Sequence, residues 1–327
     1  MPKEYVHWVM AEKIQSSIRS GRVKEIISNN KYLYYLGAIA PDSAYYRLFG
    51  KSKPLFLSAT ERLHGKNGEN TFEFLHSIVN HYNEYPSDAI WSFLLGASTH
   101  IITDSQFHPM IYYFTGVADS SKPITLKSEY RHRLFETYLD EYYIPRIPLM
   151  NNGRLSKLLS RKEIDNKSFF SLLSVLFFND IDFPKREIFR TIKSHSIYQA
   201  LFFKRIYYYI LKHINLFSFI NLDSFLALFY QRKPIMNIPF FNKKIEYMHP
   251  VTGERYYEKL GNIERRVVSH ASKIFTLIEQ SIEESVLQIL KELKGPSAET
   301  GFLNSSAKEM KHFNIQDVKD LLFKMKQ

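Results

Sequence analysis

Three side chains of the kind that bind metal ions recur at intervals of four residues near the middle of the chain. They are His100, Asp104 and His108, within residues 95–116, LGASTHIITDSQFHPMIYYFTG. Residues four apart on an α-helix lie on the same face, about one turn (roughly 6 Å) from each other. The surrounding residues are mostly apolar, which indicates that this face is buried and not solvated. The spacing therefore predicts a helix whose buried polar face binds a divalent cation.

The sequence on either side of these residues predicts how the helix packs and where it ends. Gly96, Ala97 and Ser98 are small and would let a neighbouring segment come close. Pro109 follows His108 directly, and a proline disfavours the α conformation in the residue before it. The helix is therefore expected to end or kink at this proline.

A second pair of ligand-type residues, His132 and Glu136, lies on the next predicted helix, again four apart. Three further candidates lie upstream: His7 near the start, Asp42 directly after a proline, and His64 directly before a glycine. Each of these alone is better explained as a structural residue, but their joint pattern favours a metal site. The chain contains no cysteine, which excludes a thiolate site, and a mixture of imidazoles and carboxylates suits zinc.

The composition predicts a globular, all-α protein. The 327 residues are 45% apolar and 15% aromatic, with only 12 glycines and 13 prolines to interrupt helices. No alternating run of useful strand length is evident, which favours a multi-helix bundle around the metal site. Residues 1–150 are predicted to form the metal-binding catalytic core. Residues 151–327 are predicted to continue the helical bundle and to pack on that core within the same domain.

Local patterns predict the bounds of individual elements. Helices are expected at residues 7–27, 71–83 and 262–293, where apolar residues recur at helical spacing. Irregular segments are expected at residues 51–70 and 239–261, where glycines and prolines interrupt the pattern.

Charge and hydropathy bear on partners and location. The 44 Lys and Arg residues exceed the 33 Asp and Glu residues, for a net charge of +11, which favours anionic partners such as phospholipid surfaces, phosphodiesters or nucleic acid. The apolar residues 206–230 contain Lys212, His213 and Asp223, so they fall short of a membrane span. They predict a pair of buried helices, with peripheral membrane contact as the alternative. No signal peptide is evident, which predicts a cytoplasmic location, and no obligate protein partner is indicated.

Taken in order, the candidate residues resemble a known family. The shared elements are His7, GAIAPDS at 37–43, His64-Gly65, THIITD at 99–104, His108 and HRLFE at 132–136. This pattern resembles the zinc-dependent phospholipase C family, and its spacing is most similar to the catalytic domain of GPI-specific phospholipase D and its bacterial relatives. The single-strand-specific zinc nucleases are more distant kin with the same helical metal site.

The resemblance implies a centre of two or three zinc ions, which is trinuclear in the family. Its ligands would be divided as follows: Asp42, His64 and His100 on one ion; Asp104 bridging to a second ion that His7 also binds; and His108, His132 and Glu136 on the third. Asp42 would either ligate or act as the general base. The secreted members also use an N-terminal amino group as a ligand, whereas this chain begins Met1-Pro2-Lys3. The gap from Asp104 to His108 is shorter than in the secreted bacterial phospholipases.

The resemblance also implies the reaction. A phosphodiester repels an incoming nucleophile, and clustered zinc ions would neutralise its charge and lower the pKa of a bound water toward about 7. We therefore expect a zinc-dependent phosphodiesterase, of the phospholipase C or D type, that hydrolyses a phospholipid or a lipid-like phosphodiester. Two alternatives stay open. One is a zinc-dependent nuclease, in which basic residues and stacking aromatics would follow a strand beside the metals. The other is a non-catalytic, metal-stabilised helical binding protein.

Overall fold

The computed structural model describes residues 3–81, 86–117, 125–146, 154–179, 183–217, 221–230, 237–283 and 288–324. Most of these residues are helical, which confirms the all-α prediction. The α-helices are α1 Glu4–Ser17, α2 Arg22–Asn29, α3 Lys31–Gly37, α4 Lys53–Leu63, α5 Glu73–His81, α6 Asp88–Thr115, α7 Thr125–Tyr143, α8 Leu155–Arg161, α9 Asn166–Phe178, α10 Lys185–Phe202, α11 Arg205–Phe217, α12 Asp223–Leu226, α13 Pro239–Asn242, α14 Leu260–Glu283, α15 Gln288–Glu292 and α16 Val318–Phe323. The other described elements are the 3₁₀ turns Ala40–Tyr46, Ile144–Arg146 and Ala307–Glu309, and the strands β1 Lys244–Met248 and β2 Arg255–Lys259.

The helix α6 is buried along almost its whole length and contacts α1, α2, α3, α7 and α14. It ends before Gly116, whose φ of +73° favours glycine. Of the two expectations for Pro109, the end of the helix was wrong, since α6 continues to Thr115, and a kink there stays a prediction. Pro109 has no N–H to donate to the Ser105 carbonyl, and the backbone at Gly301 packs against that oxygen. Tertiary packing therefore holds the helical conformation through the proline.

The helix α3 crosses α6 at a contact between two glycines. A Cβ atom added to Gly96 would lie 2.1 Å from the Tyr34 carbonyl oxygen and 3.0 Å from the Gly37 Cα atom. A Cβ atom added to Gly37 would lie 2.1 Å from the carbonyl oxygen of Phe93. The two backbones therefore touch, as the small residues of α6 predicted. This contact brings the turn that follows α3, which carries Asp42, next to the polar face of α6.

Two element predictions in the first half were wrong. Residues 7–27 form two helices, because the chain turns at Gly21, where φ is +108° and a Cβ atom would collide with the Glu279 carboxylate. Residues 51–70, predicted as irregular, contain α4. Pro54 lies in the first turn of that helix, where a missing N–H leaves no helical hydrogen bond unmade.

The second half also departs from the prediction. Residues 239–261 form α13 and a β-hairpin, in which Lys244 pairs with Lys259 and Met248 with Arg255. The alternation of exposed and buried residues on β1 spans only five positions, which is too short to stand out in the sequence. Over the predicted long helix at 262–293, the described residues are helical as α14 and α15, and residues 284–287 lie outside the described residues. Helix α11, within the segment predicted to form buried helices, has no buried residue.

Elements of the two halves pack directly on each other. Helix α14 contacts α1, α2 and α6, and α10 contacts the 3₁₀ turn Ala40–Tyr46. The division into residues 1–150 and 151–327 stays a prediction. Within the described ranges, no helix combines the length and the apolar character needed to cross a membrane.

Candidate metal centre

The structure brings all eight predicted ligand residues together. Seven of them form two groups, and within each group the ligand atoms lie within 4.8 Å of one another. Each group consists only of histidines and carboxylates. The first group is Asp42, His64, His100 and Asp104, and the second is His108, His132 and Glu136. His7 contacts the first group, because its Nε2 atom lies 3.4 Å from Asp104 Oδ1. That these residues bind zinc stays a prediction.

The first group has two imidazoles and two carboxylates around one point. The Nε2 atoms of His64 and His100 are 3.0 Å apart. Asp42 Oδ1 lies 3.1 Å from the His64 nitrogen and 3.2 Å from the His100 nitrogen. Asp104 Oδ2 lies 3.5 Å and 3.3 Å from the same two nitrogens. All four side chains are buried, so a charge at this point is shielded from water.

The tautomers of both imidazoles follow from their other ring nitrogens. His64 Nδ1 donates to the Thr60 carbonyl at 2.7 Å, and His100 Nδ1 donates to the Ala38 carbonyl at 2.9 Å. In the neutral imidazole each Nε2 is then a bare acceptor that faces the other Nε2 and the carboxylates. An acceptor-only cluster is unfavourable unless a positive charge lies at its centre. A metal cation satisfies that requirement, and backbone carbonyls of this kind orient metal-binding histidines.

The electrostatics of the group agree with a bound cation. Burial lowers the pKa of His100, but the negative charges of Asp42 and Asp104 outweigh burial and raise it to about 9. Asp42 Oδ1 and both oxygens of Asp104 meet no hydrogen-bond donor in good geometry among the described residues. The carboxylates therefore attract positive charge to the nitrogens that face them. The group fits a zinc ion better than any uncharged occupant.

Asp104 faces two different sets of imidazoles with its two oxygens. Oδ2 points to the first group, whereas Oδ1 points to His7, whose ring stacks on that of His100 at a centroid distance of 4.0 Å. Burial, and after it the charge of His100, lowers the pKa of His7 to about 3, so this imidazole is neutral. Neither ring nitrogen of His7 has a hydrogen-bond partner in the described part of the chain. This is the arrangement that a carboxylate bridge between two ions requires.

The second group joins α6 to α7. Glu136 Oε1 lies 2.8 Å from His132 Nε2 and 3.6 Å from His108 Nε2. His108 Nδ1 donates to the Ala298 carbonyl at 2.7 Å, which again leaves Nε2 as the acceptor. His132 is the most exposed member, with 13% of its side chain accessible. The group therefore offers two nitrogens and one carboxylate, with one side open toward solvent, as a site that also admits a substrate needs.

Asp140 extends the four-residue spacing of His132 and Glu136 along α7, and the sequence analysis missed it. Its carboxylate accepts hydrogen bonds from the backbone N–H groups of Tyr5 at 3.2 Å and Val6 at 2.8 Å. These N–H groups lie in the first turn of α1, where an acceptor from another element completes the helix terminus. Asp140 thus fixes α1, and with it His7, against α7. The i, i+4 spacing was a signal that could have identified it.

A buried chain of polar residues supports the turn that carries Asp42. Ser43 Oγ lies 2.9 Å from His195 Nδ1, and His195 Nε2 donates to Glu4 Oε1 at 3.0 Å. The ring of Tyr46 stacks on His195 at 4.0 Å. The order Ser–His–Glu is that of a nucleophile and its base, but all three side chains are at most 3% exposed, so no substrate reaches the serine. Residues this far apart in the chain gave no sequence signal.

The C-terminal segment closes the other side of the centre, which the sequence analysis also missed. The backbone N–H of Ala298 donates to the His64 carbonyl at 2.9 Å, and Ser297 Oγ donates to the Gly65 carbonyl at 2.9 Å. Gly65 has a φ of +64°, which favours glycine. The same Ala298 supplies the carbonyl that orients His108. One residue therefore holds members of both groups.

Members of both groups line a cavity of about 240 Å³. The cavity is lined by Asp42, His132 and Glu136 from the candidate centre. Its further wall is aromatic and aliphatic, from Tyr198, Phe202, Phe225 and Leu228. Charged residues of both signs complete it: Lys3, Lys66 and Arg133, and Glu61, Glu129 and Glu299. Near the candidate ligands, the Tyr112 hydroxyl donates to Glu299.

The all-α fold thus places two buried groups of imidazoles and carboxylates, typical of a multinuclear metal centre, beside a cavity. The family model for zinc dependent phospholipase C matches residues 6–181. This range is more than half of the chain and contains all eight candidate ligands. The chain belongs to the zinc-dependent phospholipase C family. Neither a curated protein nor a solved structure matches it. The closer likeness to the GPI-cleaving branch stays a prediction.

Proposed function

We propose that this protein is a phosphodiesterase that hydrolyses the headgroup phosphodiester of a phospholipid with zinc as its cofactor. The family supports zinc-dependent phospholipid hydrolysis. The observation that carries the finer proposal is the first group, in which Asp42 and Asp104 face the bare nitrogens of His64 and His100. With a cation bound, such a group would concentrate positive charge beside the cavity, where the phosphate of a bound lipid would lie.

We assign three ions to the centre. The proposed ligands are Asp42, His64, His100 and Asp104 for one ion, Asp104 and His7 for a second, and His108, His132 and Glu136 for a third. When bound, zinc at these positions supplies positive charge that neutralises a phosphodiester and makes water a stronger nucleophile. The second ion has the fewest side-chain ligands, so we expect it to be bound most weakly.

Asp42 is the carboxylate of the first group that also lines the cavity. Burial raises its pKa, but the charge on His100 lowers it more, and the pKa lies well below its usual range. The carboxylate is therefore ionised at neutral pH. We propose that Asp42 accepts the proton of the attacking water in addition to facing the metal site, which keeps it as the candidate general base.

The cavity wall favours a lipid over a nucleic acid strand. A protein that binds single strands uses a predominantly basic groove with stacking aromatics. Here the three basic lining residues, Lys3, Lys66 and Arg133, are outnumbered by the four glutamates that also line the cavity, Glu61, Glu129, Glu136 and Glu299. The apolar wall lies next to the ligand groups, which suits the glycerol and acyl portion of a phospholipid. These features support a phospholipid as the substrate. The lining has no excess of basic residues that would favour a nucleic acid strand.

The test is hydrolysis by zinc-loaded protein of phosphatidylcholine, phosphatidylinositol and single-stranded DNA, with the products identified by mass spectrometry. We expect release of a phosphorylated headgroup from a phospholipid, loss of this activity after chelation, and no DNA cleavage. Phosphatidic acid as the product would instead indicate the phospholipase D type. Asp42→Asn should lose most activity, whereas Asp320→Asn, at an exposed position of α16, should not. No turnover of any lipid by fully loaded protein would overturn the proposal in favour of a binding protein.

A further inference from the structure

Helix α11 presents an apolar face to solvent. Six of its residues define what we call the α11 surface: Ile206, Tyr209, Ile210, Ile214, Leu216 and Phe217. Their relative exposure ranges from 41% for the tyrosine to 86% for the phenylalanine. A helix on the surface of a soluble protein normally turns its polar residues outward. Contiguous exposed apolar side chains on one helix indicate an interaction site.

The orientation of α11 is fixed by its opposite face. Tyr208, Leu211 and Asn215, spaced three and four apart, are the half-buried residues. Asn215 accepts a hydrogen bond from the backbone of Leu222 at 2.6 Å and donates to Asp223 at 2.8 Å. This face packs toward α12, and α11 also contacts α10. The apolar residues of the α11 surface therefore point away from the protein because the helix is anchored by its other side.

The residues in and next to α11 carry an excess of positive charge, which favours an anionic partner. Residues 185–217, which contain α10 and α11, have seven Lys or Arg residues and one Asp or Glu residue. Across the whole chain the corresponding numbers are 44 and 33. Arg205 and Lys212, seven residues apart and therefore on the same side of α11, flank the apolar face. A helix with an apolar face, aromatic residues and flanking basic residues suits the interface of an anionic phospholipid bilayer.

Helix α11 is also packed next to the apolar wall of the cavity. The two helices that contact α11 supply that wall, with Tyr198 and Phe202 from α10 and Phe225 from α12. We propose that the α11 surface docks on an anionic phospholipid bilayer and thereby aligns the apolar end of the cavity with the lipid layer. This proposal rests on the proposed function, since it explains how a water-exposed cavity receives a substrate with two acyl chains.

The test is co-sedimentation of zinc-loaded protein with vesicles of phosphatidylcholine alone and with about a third of phosphatidylglycerol. We expect tighter binding to the anionic vesicles, and weaker binding as salt is raised. Combining Ile206→Ser, Leu216→Ser and Phe217→Ser should weaken binding by about tenfold or more. Arg205→Gln and Lys212→Gln should each weaken binding to anionic vesicles by about fivefold. The matched control is Tyr257→Ser, at a 67% exposed position on the hairpin, which should bind as the parent does.

Activity separates the failure of this proposal from the failure of the proposed function. The triple variant should keep the parent's rate, within about twofold, on a short-chain phospholipid dissolved as monomers, and should lose at least about tenfold on vesicles. Equal vesicle binding by variant and parent would overturn the proposal, as would a dimer in solution that the triple variant dissociates. A parent that hydrolyses the soluble lipid but does not bind vesicles also overturns it, while the proposed function stands. A parent that binds vesicles and hydrolyses neither lipid leaves the docking surface in place and overturns the proposed function.

Discussion

Gly96→Ala is the substitution that should show most clearly how the scaffold holds the metal centre. The new Cβ atom would lie 2.1 Å from the Tyr34 carbonyl oxygen, whereas ordinary contact begins near 3.4 Å. Helices α3 and α6 must therefore separate by roughly 1 Å. His100 Nδ1 donates to the carbonyl of Ala38, the residue after α3, at 2.9 Å, and a shift of about 1 Å along this bond stretches it beyond hydrogen-bond length.

The expected cost combines two effects. Overpacking a buried helix contact costs about 1–3 kcal/mol, and loss of the hydrogen bond that orients His100 adds about 1 kcal/mol. We therefore expect Gly96→Ala to lower the free energy of unfolding by about 2–4 kcal/mol. We also expect it to weaken zinc binding by about 10–100-fold, the effect typical of groups that orient a metal ligand. Urea denaturation and competition with a zinc-chelating dye measure the two quantities.

The matched control is Gly261→Ala in α14, where an added Cβ atom meets nothing within 4 Å. This substitution should leave zinc affinity unchanged and raise stability by up to about 1 kcal/mol, because alanine restricts the unfolded chain. If Gly96→Ala behaves like the control, the contact between α3 and α6 does not position the centre, and the reasoning from backbone approach to ligand geometry is refuted.

Three further predictions concern the centre and its support. Asp104→Asn should lose at least one zinc ion and most activity, while its helical circular dichroism stays that of the parent. Glu136→Gln should have a smaller effect on the ions bound at Asp104. Equal, mild losses of zinc and activity in both variants would show that Asp104 does not bridge two ions. Chelation of zinc-loaded protein should lower the melting temperature, since a ligand that binds only the folded state stabilises it; an unchanged melting temperature would argue against a buried centre. Burial alone would raise the pKa of Glu4. The hydrogen bond from His195 and the charge of the His195 ring outweigh burial and lower the pKa of Glu4 from 4.5 to about 2. Because the folded-state pKa is the lower one, the Glu4 carboxylate stabilises the fold above about pH 4.5, and this stability is lost as the pH falls toward 2. Between pH 6 and pH 3 the parent should therefore lose roughly 2 kcal/mol more than Glu4→Gln in chemical denaturation, and parallel profiles would contradict the assignment.

The residues that recur every four positions were the part of the centre that sequence alone could predict. His100, Asp104 and His108 share one face of α6, and His132 and Glu136 share one face of α7, because helical geometry alone decides that placement. The small residue Gly96 likewise predicted that the backbone of another segment, which is α3, comes close to α6. Residues 7, 42 and 64 share no helical spacing with these, so only the joint pattern of ligand-type residues and the family resemblance linked them to the site, and the structure brings them next to it.

What the sequence could not predict depends on contacts between distant segments. Pro109 would end an isolated helix, but burial of α6 on all sides holds the helix through it. The Ala298 carbonyl that orients His108 is a backbone atom, and no side-chain pattern reveals it. His195 supports Asp42 through Ser43 across a large separation in sequence. The outward apolar face of α11 has the same composition as a buried helix, so only its packing shows that it is exposed.

The central claim, that these eight side chains form a zinc centre, is tested most directly by anomalous diffraction from crystals of zinc-loaded protein at the zinc absorption edge. We predict one peak among Asp42, His64, His100 and Asp104, one among His108, His132 and Glu136, and a weaker one between His7 and Asp104. Peaks elsewhere in the chain, or no peak at the first of these positions in protein shown to contain zinc, would contradict the account.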